Sequence, residues 1–209
     1  MSRAHIVITG TGRAGTSLLV QLLTFLGLDT GYSPERMALF ATARAGLEHD
    51  IRREDSPYIV KSPWFCLYAE DVLQNRSDIL IEHVFIPMRD LHAAAESRRY
   101  VTEQFKAKLT PEEREKVDIS RIPGGLWLTR DESSQEKILL DQLYKLLLVL
   151  SNTTIPVTLM HYPRIVKDSQ YLYAKLKPIL KDITYAKFES AFKSTVLPEF
   201  IHSFNENDS

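Results

Sequence analysis

Short runs in which nearly every residue is apolar alternate along this chain with longer segments whose apolar residues recur at helical spacing. The short runs are rich in β-branched residues and predict strands, and we expect both faces of each strand to be covered. The predicted strands are residues 5–9, 58–61, 83–88 and 155–161. Because strands that alternate with helices are typical of βαβ units, the pattern predicts an α/β fold with a central, mostly parallel sheet flanked by helices in three layers.

Two helices are predicted from leucine-rich segments. Leucines between residues 18 and 26 fall on one helical face, and Gly27 stands where that helix should end. A longer helix is predicted over residues 138–150, and Ser133 with Glu136 three residues later predicts a capping box at its start. Each helix follows or precedes a predicted strand, as βαβ units require.

Residues 100–132 form a long, charged insertion between predicted elements. A capping box at Thr110 and Glu113 predicts a short polar helix inside it. Near its end, Leu126 and Trp127 form an apolar pair that we expect to be exposed. Insertions of this length usually act as lids or binding loops, so we expect this one to shape the choice of substrate.

The composition is that of an ordinary globular protein. With 209 residues, of which 44% are hydrophobic and 25% charged, we expect one domain over residues 1–209. There are 26 basic and 27 acidic residues, and the formal net charge of -1 predicts no general attraction to nucleic acid or to an anionic membrane. Any anion must therefore be bound locally.

The single cysteine, Cys66, can form neither an internal disulfide nor a cysteine-based zinc site, which favours a reduced, cytoplasmic setting. The most apolar later stretches, residues 17–28 and 138–150, are interrupted by polar residues. We therefore expect no membrane-spanning segment and no signal peptide.

The candidate chemistry begins at residues 10–17, Gly-Thr-Gly-Arg-Ala-Gly-Thr-Ser, which follow a predicted strand and run into a predicted helix. We call this segment the glycine loop. Its glycines allow the backbone to approach an anion closely, and the helix N-terminus adds a favourable dipole. The segment therefore predicts a cradle for a phosphate or a similar group, with a plain strand-to-helix turn as the simpler alternative.

The glycine loop matches two known fingerprints in part. Gly10, Gly12 and Gly15 fit the dinucleotide pattern G-x-G-x-x-G, but neither Asp29 nor Glu35 follows an apolar strand, as the acidic residue of that pattern should. Gly10 and Gly15 also have the P-loop spacing, although Thr16 occupies the place of the P-loop lysine. An NAD(P)-dependent oxidoreductase thus stays an alternative, and an ordinary ATPase is disfavoured.

A second motif lies at the end of another predicted strand. Arg89 ends the strand, Asp90 is a plausible N-cap for the following helix, and Ser97 comes eight residues after Arg89. An arginine can grip a phosphate through two parallel hydrogen bonds, and a serine on the second helical turn adds a neutral donor. The simpler alternative is an arginine paired with Asp90 or Glu96. Arg98 and Arg99 add positive charge near this motif, although in isolation we expect them to lie on a solvated face.

Together these motifs resemble those of the sulfotransferase family, which transfers a sulfuryl group from 3′-phosphoadenosine 5′-phosphosulfate (PAPS). The run Arg-x-Gly-Thr-Ser from Arg13 is similar to the family's 5′-phosphosulfate loop, with Ala14 in place of the usual Ser, and Arg89 and Ser97 keep the spacing of its 3′-phosphate grip. Weaker similarities lie at residues 59–63, as in carbohydrate and tyrosylprotein sulfotransferases, and at residues 161–168. The matches span residues 5–182, without the Arg-Lys-Gly clamp of the cytosolic aryl enzymes.

The resemblance implies a P-loop-like fold and a set of roles. It implies PAPS as cofactor, with PAP as product and no metal, and as acceptor a hydroxyl of a small molecule, carbohydrate or peptide. The implied catalytic residues are Arg13, Lys61 and the base Glu35, with Glu48, His49 and Asp50 as alternative bases. The implied cofactor-binding residues are Gly12, Arg13, Ala14, Gly15, Thr16, Ser17, Arg89, Ser97 and Tyr162. A non-catalytic nucleotide-binding module is a further alternative.

Overall fold

The computed structural model describes residues 2–37, 45–118 and 122–196. Four parallel strands form its sheet in the order β2-β1-β3-β4. They are β1 (Arg3–Ile8), β2 (Ile59–Lys61), β3 (Ile79–Met88) and β4 (Val157–His161). All four predicted strands are confirmed with small shifts at their ends, and so is the α/β class.

Eight α-helices accompany the sheet in the described residues. They are α1 (Thr16–Phe25), α2 (Ala69–Asn75), α3 (Leu91–Lys106), α4 (Pro111–Lys116), α5 (Gln135–Ser151), α6 (Arg164–Lys167), α7 (Ser169–Leu180) and α8 (Tyr185–Thr195). Short 3-10 turns lie at Pro34–Arg36, Phe65–Leu67 and Glu132–Ser134. Within the described ranges, none of the helices combines the length and apolar character that crossing a membrane requires.

The helices cover both faces of the sheet and make three layers. In β1, Ile6 and Ile8 point into a core with α1, α6, α7 and α8, whereas Val7 points into the opposite core with α2 and α5. Successive strand residues point to opposite faces, so the apolar run of β1 is explained by burial on both sides. Helix α3 packs on α5 through Ala94, Ala95 and Leu139.

The expectation that both faces of every strand are covered is wrong for β4. This strand forms an edge of the sheet, and Val157 and Leu159 are 36% and 45% exposed. On α5, Leu140, Tyr144 and Leu148 are exposed as well. The apolar pattern of β4 therefore identified a strand but not its position in the sheet.

The predicted helix ends are partly right. Thr110 and Glu113 form the predicted capping box of α4, and Asp90 caps α3 by accepting from the Ala93 amide at 2.8 Å. The predicted capping box of Ser133 and Glu136 is wrong. Instead, Asp131 accepts hydrogen bonds from the amide and hydroxyl of Ser133 just before α5.

The insertion at residues 100–132 is packed more closely than its charge suggests. Its first seven residues continue α3, and residues 119–121 lie outside the described ranges. The expectation that Leu126 and Trp127 are exposed is wrong, since they are 1% and 6% exposed. This end of the insertion is part of the core beside α3 and α5.

Candidate functional site

The glycine loop joins β1 to α1 with a tightly turned backbone. Gly12, Arg13 and Gly15 all have positive φ, at 68°, 55° and 85°. A Cβ on Gly15 would lie 3.0 Å from the Ile165 side chain, so the third glycine is needed for close packing as well as for its backbone angle. Helix α1 starts at Thr16, and the glycine before it has no side chain that could cap the helix. Such a start leaves amide donors at the helix N-terminus, which suits an anion.

The two sequence motifs meet in space. Strands β1 and β3 are neighbours and parallel, so their carboxyl ends lie side by side. Arg13 donates from Nε to Ser97 Oγ at 3.0 Å, and Arg89 donates from Nη1 to the Arg13 carbonyl at 2.8 Å. The Arg89 guanidinium also lies 4.8 Å from the centre of the Tyr162 ring. Four predicted binding residues from three parts of the chain therefore form one cluster.

This cluster concentrates positive charge in a partly buried position. Burial, and next the charge of Arg89, lowers the pKa of Arg13 to about 10. Burial also lowers the pKa of Arg89. The Arg13 guanidinium is still charged near neutral pH, and it lies close enough to Arg89 for the two groups to repel. A bound anion would relieve this repulsion, because its charge is opposite to both.

A second buried cation lies beside the start of α1. Lys61, at the end of β2, is 3% exposed. Its Nζ donates to Ser17 Oγ at 2.7 Å, to the Gly46 carbonyl at 2.6 Å and to Glu48 Oε1 at 2.8 Å. Desolvation lowers the pKa of Lys61 and the Glu48 carboxylate opposes that shift. Three bonds use all three donors of the ammonium, so Lys61 is fixed rather than solvated.

The candidate bases lie in different surroundings. Glu35 is exposed on the turn Pro34–Arg36, where a hydrogen bond with Ser33 lowers the pKa of its carboxyl. Glu48 is the carboxylate that Lys61 joins to the start of α1. The structure thus places Glu48, and not the exposed Glu35, in contact with another predicted site residue.

The other two alternative bases have local partners. His49 packs against Tyr32 with ring centres 4.9 Å apart, and burial lowers the pKa of its imidazole. Asp50 pairs with Arg52, whose Nη2 donates to Oδ2 at 2.6 Å. Neither pair includes a residue of the glycine loop.

The remaining predicted residues line the site or support it. Ala14 is fully buried in the core with α1, and Thr16 is buried at the helix start. Tyr162 donates its amide to the Met88 carbonyl at 2.7 Å, which fixes it beside the end of β3. Its ring lies against Arg89 and beside Gly15. Tyr162 thus supports the guanidinium from one side.

Sequence reasoning missed Arg98, and the expectation that it lies on a solvated face is wrong. Its guanidinium is buried between the glycine loop and the insertion. Helical spacing carried the signal, because Arg98 comes four residues after Ala94 and three before Val101, both buried. An arginine in that row of small apolar positions must enter the interior.

Arg99 belongs to a different cluster, with His92, Glu96 and Glu136. The ligand atoms of His92 and the two carboxylates lie within 4.8 Å of one another, a spacing that can suit a metal ion. Both carboxylates, however, accept hydrogen bonds from Arg99 at 2.5 Å. The cluster is an ion-pair network that joins α3 to α5.

The comparisons with known proteins add no family to this geometry. The chain matches no protein-family model, no curated protein and no solved structure.

Proposed function

We propose that this protein is a PAPS-dependent sulfotransferase. The observation that carries the proposal is the contact of Arg13 with both Ser97 and Arg89, which unites the two motifs at the carboxyl ends of β1 and β3. Open α/β sheets bind their ligands at that edge. The two neighbouring, partly buried guanidinium groups suit a ligand with several negative charges, such as a nucleotide with phosphates at both its 3′ and 5′ positions.

The two motifs divide the work of binding. Arg89 and Ser97 bind the 3′-phosphate, for which a planar guanidinium and a hydroxyl supply directed donors. The glycine loop, with Thr16 and Ser17 at the start of α1, receives the 5′-phosphosulfate through backbone and hydroxyl donors. Arg13 lies between the two positions and stabilises the charge that develops on the leaving oxygen.

When bound, PAPS supplies a sulfuryl group whose sulfur bonds to the acceptor oxygen as its bond to the 5′-phosphate oxygen breaks, leaving PAP. Glu48 takes the proton of the acceptor hydroxyl, a role supported by its place beside Lys61 and Ser17. Lys61 holds Glu48 and Ser17 in a fixed relation. Glu35, the base that the resemblance implies, becomes the alternative because it is exposed on a separate turn.

The acceptor is a hydroxyl of a small molecule, carbohydrate or peptide, with no nucleic-acid partner, and we place the protein in the cytoplasm. The location is supported by the single cysteine, Cys66, which has no partner in the sequence for an internal disulfide. The oxidoreductase alternative is weakened because Asp29, a candidate for the acidic residue of the dinucleotide pattern, already accepts hydrogen bonds from the backbone. Its carboxylate accepts from the amides of Gly31 at 3.2 Å and Tyr58 at 2.9 Å.

The test starts with a thermal-shift comparison of PAP, ATP, NADH and NADPH, in which PAP is expected to stabilise the protein most. Calorimetry with Arg13→Ala and Arg89→Ala then should show loss of PAP binding while both variants stay folded. Arg53→Ala, which removes an exposed arginine paired with Asp55, is the matched control. Unchanged PAP affinity in both site variants overturns the proposal, and binding without transfer to any acceptor in a broad panel favours a non-catalytic module.

A further inference from the structure

Arg98 is a buried cation that the proposed transfer does not use. Its Nη2 donates to the Thr11 carbonyl at 2.6 Å, and its Nη1 donates to the Gly125 carbonyl at 2.7 Å. The first carbonyl belongs to the glycine loop and the second to residues 122–127, which we call the 122–127 turn. One guanidinium thus joins the loop to the insertion.

Keeping the charge of the Arg98 guanidinium in the interior is energetically unfavourable. Arg98 is 6% exposed, and its Nε has no hydrogen-bond partner among the described residues. Desolvation lowers the pKa of its guanidinium, and the charge of Arg13 lowers it further. The Trp127 ring, 5.2 Å from the guanidinium carbon, covers one side. A buried charge is unfavourable unless it is well bonded, so the two carbonyl contacts are the ones that hold Arg98 in place.

The 122–127 turn gives Arg98 a fixed support. The Leu126 amide donates to Thr102 Oγ1 at 2.9 Å, and the Trp127 amide donates to Gln135 Oε1 at 2.7 Å. These bonds attach the turn to α3 and to the first residue of α5. Since Thr102 and Arg98 belong to the same helix, the bond to Thr102 fixes the position of the Gly125 carbonyl relative to the guanidinium.

The glycine loop lies directly against the other side of Arg98. A Cβ on Gly12 would come within 2.6 Å of Nη2, so glycine is required there for space as well as for its positive φ. In a trans peptide, the carbonyl of one residue and the amide N–H of the next point in opposite directions. Because Arg98 holds the Thr11 carbonyl, the Gly12 N–H points away from Arg98.

We propose that Arg98 is a positioning residue for anion binding, which directs the Gly12 amide toward the phosphate group that the glycine loop receives. The nature of that anion, a nucleotide phosphate, rests on the proposed function. The orientation of the glycine loop by Arg98 does not depend on the proposed function. Lysine cannot replace Arg98, because a single ammonium lacks the planar fork that spans two carbonyls.

The experiment compares Arg98→Lys with Arg99→Lys. The control removes the neighbouring guanidinium from the ion-pair network with Glu96 and Glu136, without touching the loop. Hydrogen exchange of the peptide covering residues 9–18 is measured in the ligand-free protein, and the dissociation constants of PAP and of inorganic pyrophosphate are measured by calorimetry. In Arg98→Lys we expect exchange of the loop to accelerate about tenfold and both ligands to bind about tenfold more weakly.

Loop exchange and pyrophosphate affinity within about threefold of wild type in Arg98→Lys would overturn the inference, as would an equal change in Arg99→Lys. If Arg98→Lys does not fold, Thr102→Val loosens the 122–127 turn while Arg98 is retained, and it should shift both measurements in the same direction. A wild-type protein that fails to bind PAP overturns the proposed function alone, since loop exchange and pyrophosphate binding decide the role of Arg98 independently.

Discussion

Arg13 and Ser97, 84 residues apart in the sequence, are joined by a hydrogen bond of 3.0 Å from Nε to Oγ. One residue comes from the glycine loop after β1 and the other from the second turn of α3. The bond connects the two motifs that the sequence presents separately. A ligand phosphate at Ser97 would therefore lie beside Arg13, which connects that position to the glycine loop.

Replacing Ser97 by Ala should weaken PAP binding about tenfold, because a buried hydroxyl that contacts a charged partner is lost. Calorimetry measures the effect. Ser190→Ala, on the exposed side of α8, is the control and should leave the affinity unchanged. Equal affinities in the two variants would argue against a phosphate at Ser97.

Glu48→Gln should reduce both stability and turnover. It leaves the buried Lys61 ammonium with an amide oxygen in place of the carboxylate, which should lower the free energy of unfolding by about 2 kcal/mol. Urea unfolding measures this loss, and a sulfate-transfer assay should show that turnover is abolished. Glu35→Gln, on the exposed turn, should alter neither quantity. If Glu35→Gln abolished turnover and Glu48→Gln did not, the base would be Glu35.

Gly12→Ala and Gly27→Ala form a matched pair. Both glycines have positive φ, but a Cβ on Gly12 would meet Arg98 at 2.6 Å, whereas a Cβ on Gly27 would meet open space within the described residues. Each variant should lose about 1 kcal/mol from backbone strain. Gly12→Ala should lose more in urea unfolding and also weaken PAP binding. Equal losses and unchanged binding would show that the loop tolerates a side chain against Arg98.

Stability should fall as the pH drops from about 6.5 towards 5. Burial lowers the pKa values of His5 and His83 below their ordinary value, so the unfolded chain binds protons in this range that the folded chain does not. Protonated His5 would also place a charge on Nε2, which is buried without a partner in the described part of the chain. The stabilisation that these neutral histidines provide is complete above the pKa they have in the unfolded chain. It is lost as the pH falls through their pKa in the folded protein.

Urea unfolding of wild type at pH 7.5 and 5.5 measures this loss, with His5→Gln as the comparison. Glutamine can still donate to the Pro57 carbonyl that lies 2.8 Å from His5 Nδ1, yet it does not titrate. The variant should lose less stability than wild type over the interval. Carboxyl groups with lowered pKa values, such as that of Asp50, change stability mainly below about pH 5, outside the interval that is measured.

The fold was predictable because its central strands are covered on both faces. A short, continuous apolar run such as that of β1 indicates a buried strand, since a helix that is buried on one face carries polar residues at helical spacing. The edge position of β4 was not predictable, because strand order depends on how distant segments pack. The cap that Asp131 provides for the turn Glu132–Ser134, just before α5, was missed for a smaller reason, since Ser133 with Glu136 matches the capping-box pattern.

The candidate site was predictable where one motif carries its own spacing, as Arg89 and Ser97 do. The contacts between distant segments were not predictable. Glu48 gains its place only because residues 46–48 pack against Lys61 on β2. Arg98 could be inferred to be buried from helical spacing, but its partners Thr11 and Gly125 are 87 and 27 residues away.

The contacts of Arg98 also have a consequence for the order in which the protein acquires its shape. A chain that ends before residue 122 contains the glycine loop, Arg98, and three of the four clustered residues, namely Arg13, Arg89 and Ser97. It lacks the Gly125 carbonyl and the Trp127 ring, so the guanidinium has only one of its two carbonyl partners. Burying it then incurs an uncompensated desolvation penalty. We therefore expect that, during synthesis, the glycine loop does not reach its native stability before the 122–127 turn has emerged and docked.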